Sequence, residues 1–288
     1  MNSPVNSIGI TVGTECNIRC RHCLVDSKLA SKRITKKEIA LLNGEIRKYT
    51  PKLLIFTGGE PTLYTEEINE IISSFKGSSK TEIKIVTNGQ FAKTVDAARE
   101  VLGRFRSLTG VAVSYDKFHA EFVPESSVRN LIQACGIMGL PFSIMCAIES
   151  PLDLTILNGL KLSGTRISTQ KVLPIAKAEK NGLKYEYPEF DEKTLEKKCP
   201  NLGGIMYNCG SGFTICCGFL ASGGEKSRYM HRTIGGHLRS RFHQLISKHS
   251  FGQLLRLAGI SRDQLLPKHS DPCTICSLLV PRLLRGSS

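Results

Sequence analysis

The sequence predicts an α/β fold in which parallel strands alternate with helices, followed by a smaller segment of different character. Three observations carry this. Six short apolar or β-branched runs alternate with helical patterns over about the first 175 residues. The stretches between the runs are long enough for the crossovers that parallel strands require. The unusual residue clusters all fall where a strand run ends, the edge at which α/β proteins collect their functional groups.

The first run is "SIGITVG" (7–13), followed by the cysteine-rich "TECNIRCRHC" (14–23). A helical pattern follows in "TKKEIALLNGEIRKY" (35–49), where Thr35 before Glu38 makes a capping box. "KLLIFT" (52–57) is the second strand and ends at "GGEP" (58–61). The helix pattern "TEEINEIISSF" (65–75) leads to the strand "EIKIVT" (82–87), which ends at Asn88 and Gly89. Then come helix "TVDAAREVLGRF" (94–105), strand "GVAVSY" (110–115) ending at Asp116, and helix "SSVRNLIQACGIMG" (126–139). "FSIMCAI" (142–148) and "RISTQKVL" (166–173) complete the strands, with a weaker helical pattern after Leu152. The alternation stops near residue 178. The stretch 179–198 is charged and weakly apolar and reads as a linker to a second domain over 199–288. There "IMYNCGSGFTICCGFL" (205–220) predicts a hairpin turning at Gly210–Gly212, and "RSRFHQLISKHSFGQLLRLAG" (239–259) predicts a helix. The tail "LLVPRLLRGSS" (278–288) reads as frayed.

An apolar content of 41% can fill a core, and 22% charged residues is ordinary for a globular protein. No apolar run is long enough for a transmembrane helix, and the N-terminus lacks the pattern of a signal peptide. A cytoplasmic location is therefore expected. In that reducing compartment the eleven cysteines read as metal ligands or reactive thiols rather than disulfides. The formal net charge of +14 reads either as a solvated basic surface or as suited to an acidic ligand, since charge alone does not choose a partner. It is spread along the chain without a recognition-helix or zinc-finger pattern, so nucleic acid is not the expected partner.

Cys16, Cys20 and Cys23 form C-x3-C-x2-C. Soft thiolates suit zinc, copper(I) or iron–sulfur clusters. Three of them on a four-iron cluster leave one iron without a protein ligand; taken alone, the spacing would also fit an incomplete zinc site. With "CNIRCRHC" after the first strand and "GGEP" after the second, the chain resembles the radical S-adenosylmethionine (radical SAM) enzymes. The resemblance spans about residues 7–175 and implies a partial (β/α)6 barrel. It also implies a [4Fe-4S] cluster on Cys16, Cys20 and Cys23, with S-adenosylmethionine on the fourth iron. Reductive cleavage of that cofactor yields a 5′-deoxyadenosyl radical, which abstracts a hydrogen atom. An electron donor such as flavodoxin or ferredoxin is implied too.

The same resemblance places Gly58, Gly59, Glu60 and Pro61 at the methionine moiety, with Glu60 accepting from its ammonium group. Asn88, Ser114 and Asp116 resemble the ribose and carboxylate contacts; ordinary turn chemistry is the other reading of these polar residues. In "KVLPIAKA" (171–178), Ala176 stands where the family frequently has glycine. His22, between two cysteines, is expected to support the site rather than bind iron.

Of the remaining cysteines, Cys273 and Cys276 form C-x2-C, a spacing suited to one metal centre. Cys199, Gly212 and Cys217 form C-x12-G-x4-C. Together they resemble the SPASM and twitch extensions that carry auxiliary four-iron clusters. The shorter twitch form, with Cys199, Cys217, Cys273 and Cys276 as ligands, is expected; a structural zinc on the same thiols is the alternative. Period-two alternation in the hairpin would put Cys216 and Cys217 on opposite faces, and the glycine spacing selects Cys217. Cys135 and Cys146 sit in apolar patterns and are expected in the core. Cys209 and Cys216 are the candidate catalytic thiols, able in principle to give a hydrogen atom to a substrate radical. His231, His237, His243, His249 and His269 show no ligand pattern.

The resemblance leaves two substrate classes. One is a ribosomally made peptide undergoing epimerisation, thioether formation or a carbon–carbon crosslink. The other is a small molecule oxidised as by the twitch-bearing aminoglycoside dehydrogenases, with the auxiliary cluster as electron acceptor. Fifteen residues precede Cys16, so an N-terminal leader-recognition domain is not expected. The basic surface, which suits an acidic leader, favours the peptide.

Overall fold

The computed structural model describes residues 4–25, 32–74, 81–160, 162, 164–222 and 225–285. The chain divides into two compact units, Met1–Lys184 with Tyr207–Gly210, and Tyr185–Met206 with Ser211–Ser288.

In the first unit six strands form a parallel sheet: β1 (Ser7–Thr11), β2 (Leu53–Thr57), β3 (Glu82–Thr87), β4 (Gly110–Ser114), β5 (Phe142–Ile148) and β6 (Arg166–Lys171). They are ordered as in the sequence, each beside its predecessor. The register runs Ile10 to Phe56, Phe56 to Ile85, Ile85 to Val111, and Val113 to Ile144. All of these but Val111 are wholly buried, so alternate residues of each strand make one continuous apolar layer. Helices α1 (Lys36–Tyr49), α2 (Thr65–Ser73), α3 (Val95–Gly103) and α5 (Glu125–Ile137) supply Leu42, Ile46, Ile68, Ala98 and Leu131 to the core. A short α4 (Lys117–Ala120) follows β4, and α6 (Lys177–Lys180) follows β6. Cys135 and Cys146 are fully buried, as their apolar surroundings led one to expect.

The Thr35–Glu38 capping box forms: Thr35 Oγ1 accepts from Glu38 N, and Glu38 Oε2 accepts from Thr35 N. The second Glu38 oxygen accepts from Tyr207 Oη at 3.0 Å and from Gly210 N at 2.6 Å. Residues 207–210 are thereby tied to the barrel unit, where Cys209 N also donates to Thr11 O. The weak helical pattern after Leu152 is a 3-10 helix, Pro151–Leu157.

The second unit contains the strands β7 (Gly204–Asn208, shared at its end with the first unit) and β8 (Gly212–Thr214), with the expected turn between them. Helix α7 (Phe219–Ser222) follows. Its core gathers Leu195, Phe251, Leu254, Leu255, Ile260, Ile275 and Leu279.

Two sequence expectations are corrected here. The single helix over 239–259 is two, α9 (Arg241–Lys248) and α10 (Phe251–Leu257), with Arg239 ending a separate α8 (Ile234–Arg239). Ser240 and Ser250 take extended backbone and cap the following helices through His243 N and Gln253 N, breaking the run twice. The tail is not frayed: α11 (Pro272–Arg285) runs through Pro281 and buries Leu279 and Val280. Apolar burial outweighs the backbone bond that proline forfeits. Phe75, at the end of the expected second helix, and the last three residues lie outside the described residues. Among the described residues, no helix is long and apolar enough to cross a membrane.

Ser250→Ala should remove the side-chain half of the α10 capping box, the bond from Gln253 N to Ser250 Oγ, and destabilise the protein by about 1 kcal/mol. A fall in thermal midpoint beyond that of Ser247→Ala, which caps no helix, checks this.

Candidate functional site

The functional edge of the first unit is built by continuing β1 and β2 past their last paired residues. Val12 N donates to Thr57 O, Gly59 N to Gly13 O at 2.9 Å, and Glu60 N to Glu15 O at 2.8 Å. The "GGEP" segment is thus hydrogen-bonded along the start of the cysteine loop. The glycines permit that approach. A Cβ on Gly59 would stand 1.9 Å from Glu15 O, and Gly58 has φ +146° with Gly13 O 2.4 Å from where its Cβ would be. Tyr64, fully buried, accepts from Glu15 N at 2.7 Å and supports the loop from below.

Cys16, Cys20 and Cys23 all lie on this loop, with Cys23 near enough to disfavour ionisation of Cys16 and Cys20. Burial raises Cys16, and burial with the neighbouring thiols pushes Cys20 up to about 12. Without metal Cys16 and Cys20 hold their protons; binding iron would displace them. Three thiols from one short loop fit the donor set of a cluster with one open iron.

Glu60 is wholly buried and its carboxylate is used by the protein. Oε1 accepts from Thr62 N, Thr62 Oγ1 and Thr87 Oγ1, and Oε2 from Asn88 N. It locks the end of β2 to the end of β3, whatever it offers a cofactor besides. Pro61 opens the 3-10 helix Pro61–Tyr64. Asn88 extends Nδ2 to Asn17 Oδ1 at 2.7 Å and to Cys16 Sγ at 3.7 Å. Ser114 ends β4, half-buried.

Asp116 is 1% exposed. Its Oδ1 accepts from Phe118 N, His119 N and His119 Nδ1, and its Oδ2 from Ala147 N at 3.1 Å. Burial raises its pKa, but these donors more than offset it, so the carboxyl sits below its ordinary range. A role of Asp116 in holding β4, α4 and β5 together is therefore built into the fold. His22 stacks on Phe118 at 4.4 Å, and burial lowers its pKa to about 4, which keeps the ring neutral. Sequence reasoning missed the interaction of Asp116 with His119, whose i, i+3 spacing was the available signal.

Lys177 N reaches Cys23 O, bringing the segment after β6 to the cysteine loop. There Ala176 has φ +52° and ψ −119°, a conformation suited to glycine. Cys209 is buried in the barrel unit among Glu38, Lys32 and Tyr64, and burial pushes its pKa up to about 11.

In the second unit Cys199, Cys216, Cys217, Cys273 and Cys276 line one apolar pocket with Ile215, Phe219, Phe242, Ile246 and Phe251. The alternation argument for separating Cys216 from Cys217 does not hold. Strand β8 ends at Thr214, so period-two geometry stops before either cysteine. Burial raises all five thiols, most strongly Cys276 and Cys273. The histidines do not assemble around this pocket. His231, His237 and His243 pack ring against ring beside it, His237 held neutral by burial.

Residues 10–135 match the radical SAM superfamily. The chain is 27% identical over 223 residues to a putative peptide biosynthesis protein, YydG, of Bacillus subtilis (strain 168), an alignment covering 73% of this chain and 69% of that protein. Its fold is similar to native anSMEcpe with bound AdoMet and Cp18Cys peptide, with a TM-score of 0.59, 12% identity, and coverage of 97% and 98% of the two chains. It is also similar to Streptococcus suis SuiB bound to S-adenosylmethionine, with a TM-score of 0.52 and 15% identity over 75% of this chain. The chain spans 61% of SuiB.

Two outcomes are expected. Gly59→Ala should force the strand-end segment off the cysteine loop and lower bound iron by about four per chain after anaerobic reconstitution, read by iron assay. Ala176→Gly should relieve the positive φ and stabilise the protein by about 1 kcal/mol, read as a higher thermal midpoint.

Proposed function

Because this chain belongs to the radical SAM superfamily, which implies a [4Fe-4S] cluster and S-adenosylmethionine, we propose that it modifies a ribosomally synthesised peptide. When bound, the cluster and cofactor would supply radical hydrogen-atom abstraction from the substrate. Cys16, Cys20 and Cys23 would hold the cluster. Asn88 orders Cys16 and Asn17 through its Nδ2, and Gly58, Gly59, Glu60 and Pro61 would bind the cofactor's methionine end.

The observation that carries the reading is the alignment with the putative peptide biosynthesis protein. It covers 223 residues, against 126 positions in the superfamily match at 10–135, and so extends well beyond the barrel segment shared across the superfamily. Two features support it further: the +14 charge suits an acidic peptide, and the five-thiol pocket of the second unit suits an auxiliary four-iron cluster. That cluster would be held by four of those thiols, with Cys199, Cys273 and Cys276 among them. It would either take an electron from the substrate or order the polypeptide around it.

The test is anaerobic incubation of the reconstituted, reduced protein with S-adenosylmethionine and a short peptide encoded beside its gene. Formation of 5′-deoxyadenosine should accompany a change in peptide mass. One deuterium gained in heavy water marks epimerisation, and two hydrogens lost mark a thioether or carbon–carbon link. Turnover of an amino sugar with no change in any such peptide would replace this reading with small-molecule oxidation.

A further inference from the structure

The pocket of the second unit contains one thiol more than a four-iron cluster needs. The adjacent Cys216 and Cys217 are the ambiguous pair, and their surroundings differ. Burial raises both thiols; the backbone N–H groups of Gly218, Ala221 and Leu220 oppose that rise at Cys216, and its own N–H does so at Cys217. A thiolate withdrawn from water into an apolar pocket needs such donors, and hydrogen bonds to sulfur are a usual feature of iron–sulfur ligation.

Position separates them as well, although both line the pocket. Cys216 is partly buried, whereas Cys217 is exposed.

The backbone leading into Cys216 is held on both sides. Ile215 N donates to His237 Nε2 at 3.1 Å, and Ile215 O accepts from Asn201 Nδ2 at 2.6 Å, two residues after Cys199. Cys216 N donates to Thr214 Oγ1 at 3.1 Å. His237 is fully buried, so its Nε2 lone pair serves Ile215 alone rather than competing with water.

From this geometry we infer that Cys216, with Cys199, Cys273 and Cys276, holds the auxiliary cluster, and that Cys217 remains a free, exposed thiol beside it. The inference rests on the auxiliary-cluster reading above and departs from the glycine spacing, which selects Cys217. That spacing is what the family resemblance implies. In this chain the strand stops at Thr214, both cysteines follow it along the pocket, and Cys216 is the more withdrawn from solvent.

The test uses the full chain, reconstituted anaerobically with iron and sulfide. Treatment with N-ethylmaleimide followed by peptide mapping should label Cys217 and leave Cys216 protected until the iron is removed with a chelator. Cys217→Ala should keep the wild-type content of about eight irons and an unchanged auxiliary EPR signal. Cys216→Ala should fall to about four irons, or show a shifted auxiliary signal if Cys217 moves into its place. Labelling of Cys216 in the iron-loaded protein, or loss of auxiliary iron from Cys217→Ala, would overturn the assignment. The labelling arm uses wild-type protein and does not depend on either variant folding. A wild type carrying only about four irons would instead remove the auxiliary cluster itself, and the inference with it.

Discussion

The structure depends on a short length of backbone pairing beyond the ends of β1 and β2, where Gly59 and Glu60 bond to Gly13 and Glu15. Parallel strands ordinarily part into separate loops at their C-terminal ends. Here the loops stay hydrogen-bonded for two more residues because glycine allows contact that no side chain could share. The cysteine loop is thereby held against the sheet. Its geometry is set by the barrel, so the three thiols need no metal to be brought together.

Around that seam the buried acids act as fasteners. Glu60 joins the ends of β2 and β3 through Thr87 and Asn88, and Asp116 joins β4 to β5 through Ala147 N. An unpaired buried carboxylate would be costly, so each is surrounded by donors. Asn88 then passes the order inward, reaching Asn17 and Cys16. Residues recognised as cofactor contacts by resemblance are, in the protein itself, parts of the framework that positions the cluster loop. One residue can serve both purposes where an oxygen retains a free lone pair.

The second unit follows a different plan. Its thiols come from three places in the chain and meet in an apolar pocket formed by the turn after β8, the start of α11 and the aromatic residues of α9 and α10. Burial raises the pKa of every one of them. A metal bound there would remove the protons and satisfy the sulfurs together. The barrel loop differs in having its thiols on one continuous segment with a supporting network of amides.

Much of this was legible in the sequence because the signals are local. Strand–helix alternation, the Thr35–Glu38 box, C-x3-C-x2-C and the paired glycines are all read within a few residues, and each corresponds to an interaction made within or beside its own segment. What the sequence left open depends on partners far along the chain. Whether residues 239–259 form one helix or break at Ser240 and Ser250 turns on whether those serines point their hydroxyls at the backbone. The roles of Glu60 and Asp116 turn on donors from neighbouring strands. The choice between Cys216 and Cys217 turns on where β8 ends, on His237 and Asn201, and on which thiol is withdrawn from solvent. Composition and spacing determine which chemistry is present. Only the packed chain decides which of two adjacent atoms faces it, because a rotation of one residue costs nothing in sequence and reverses the direction of a side chain.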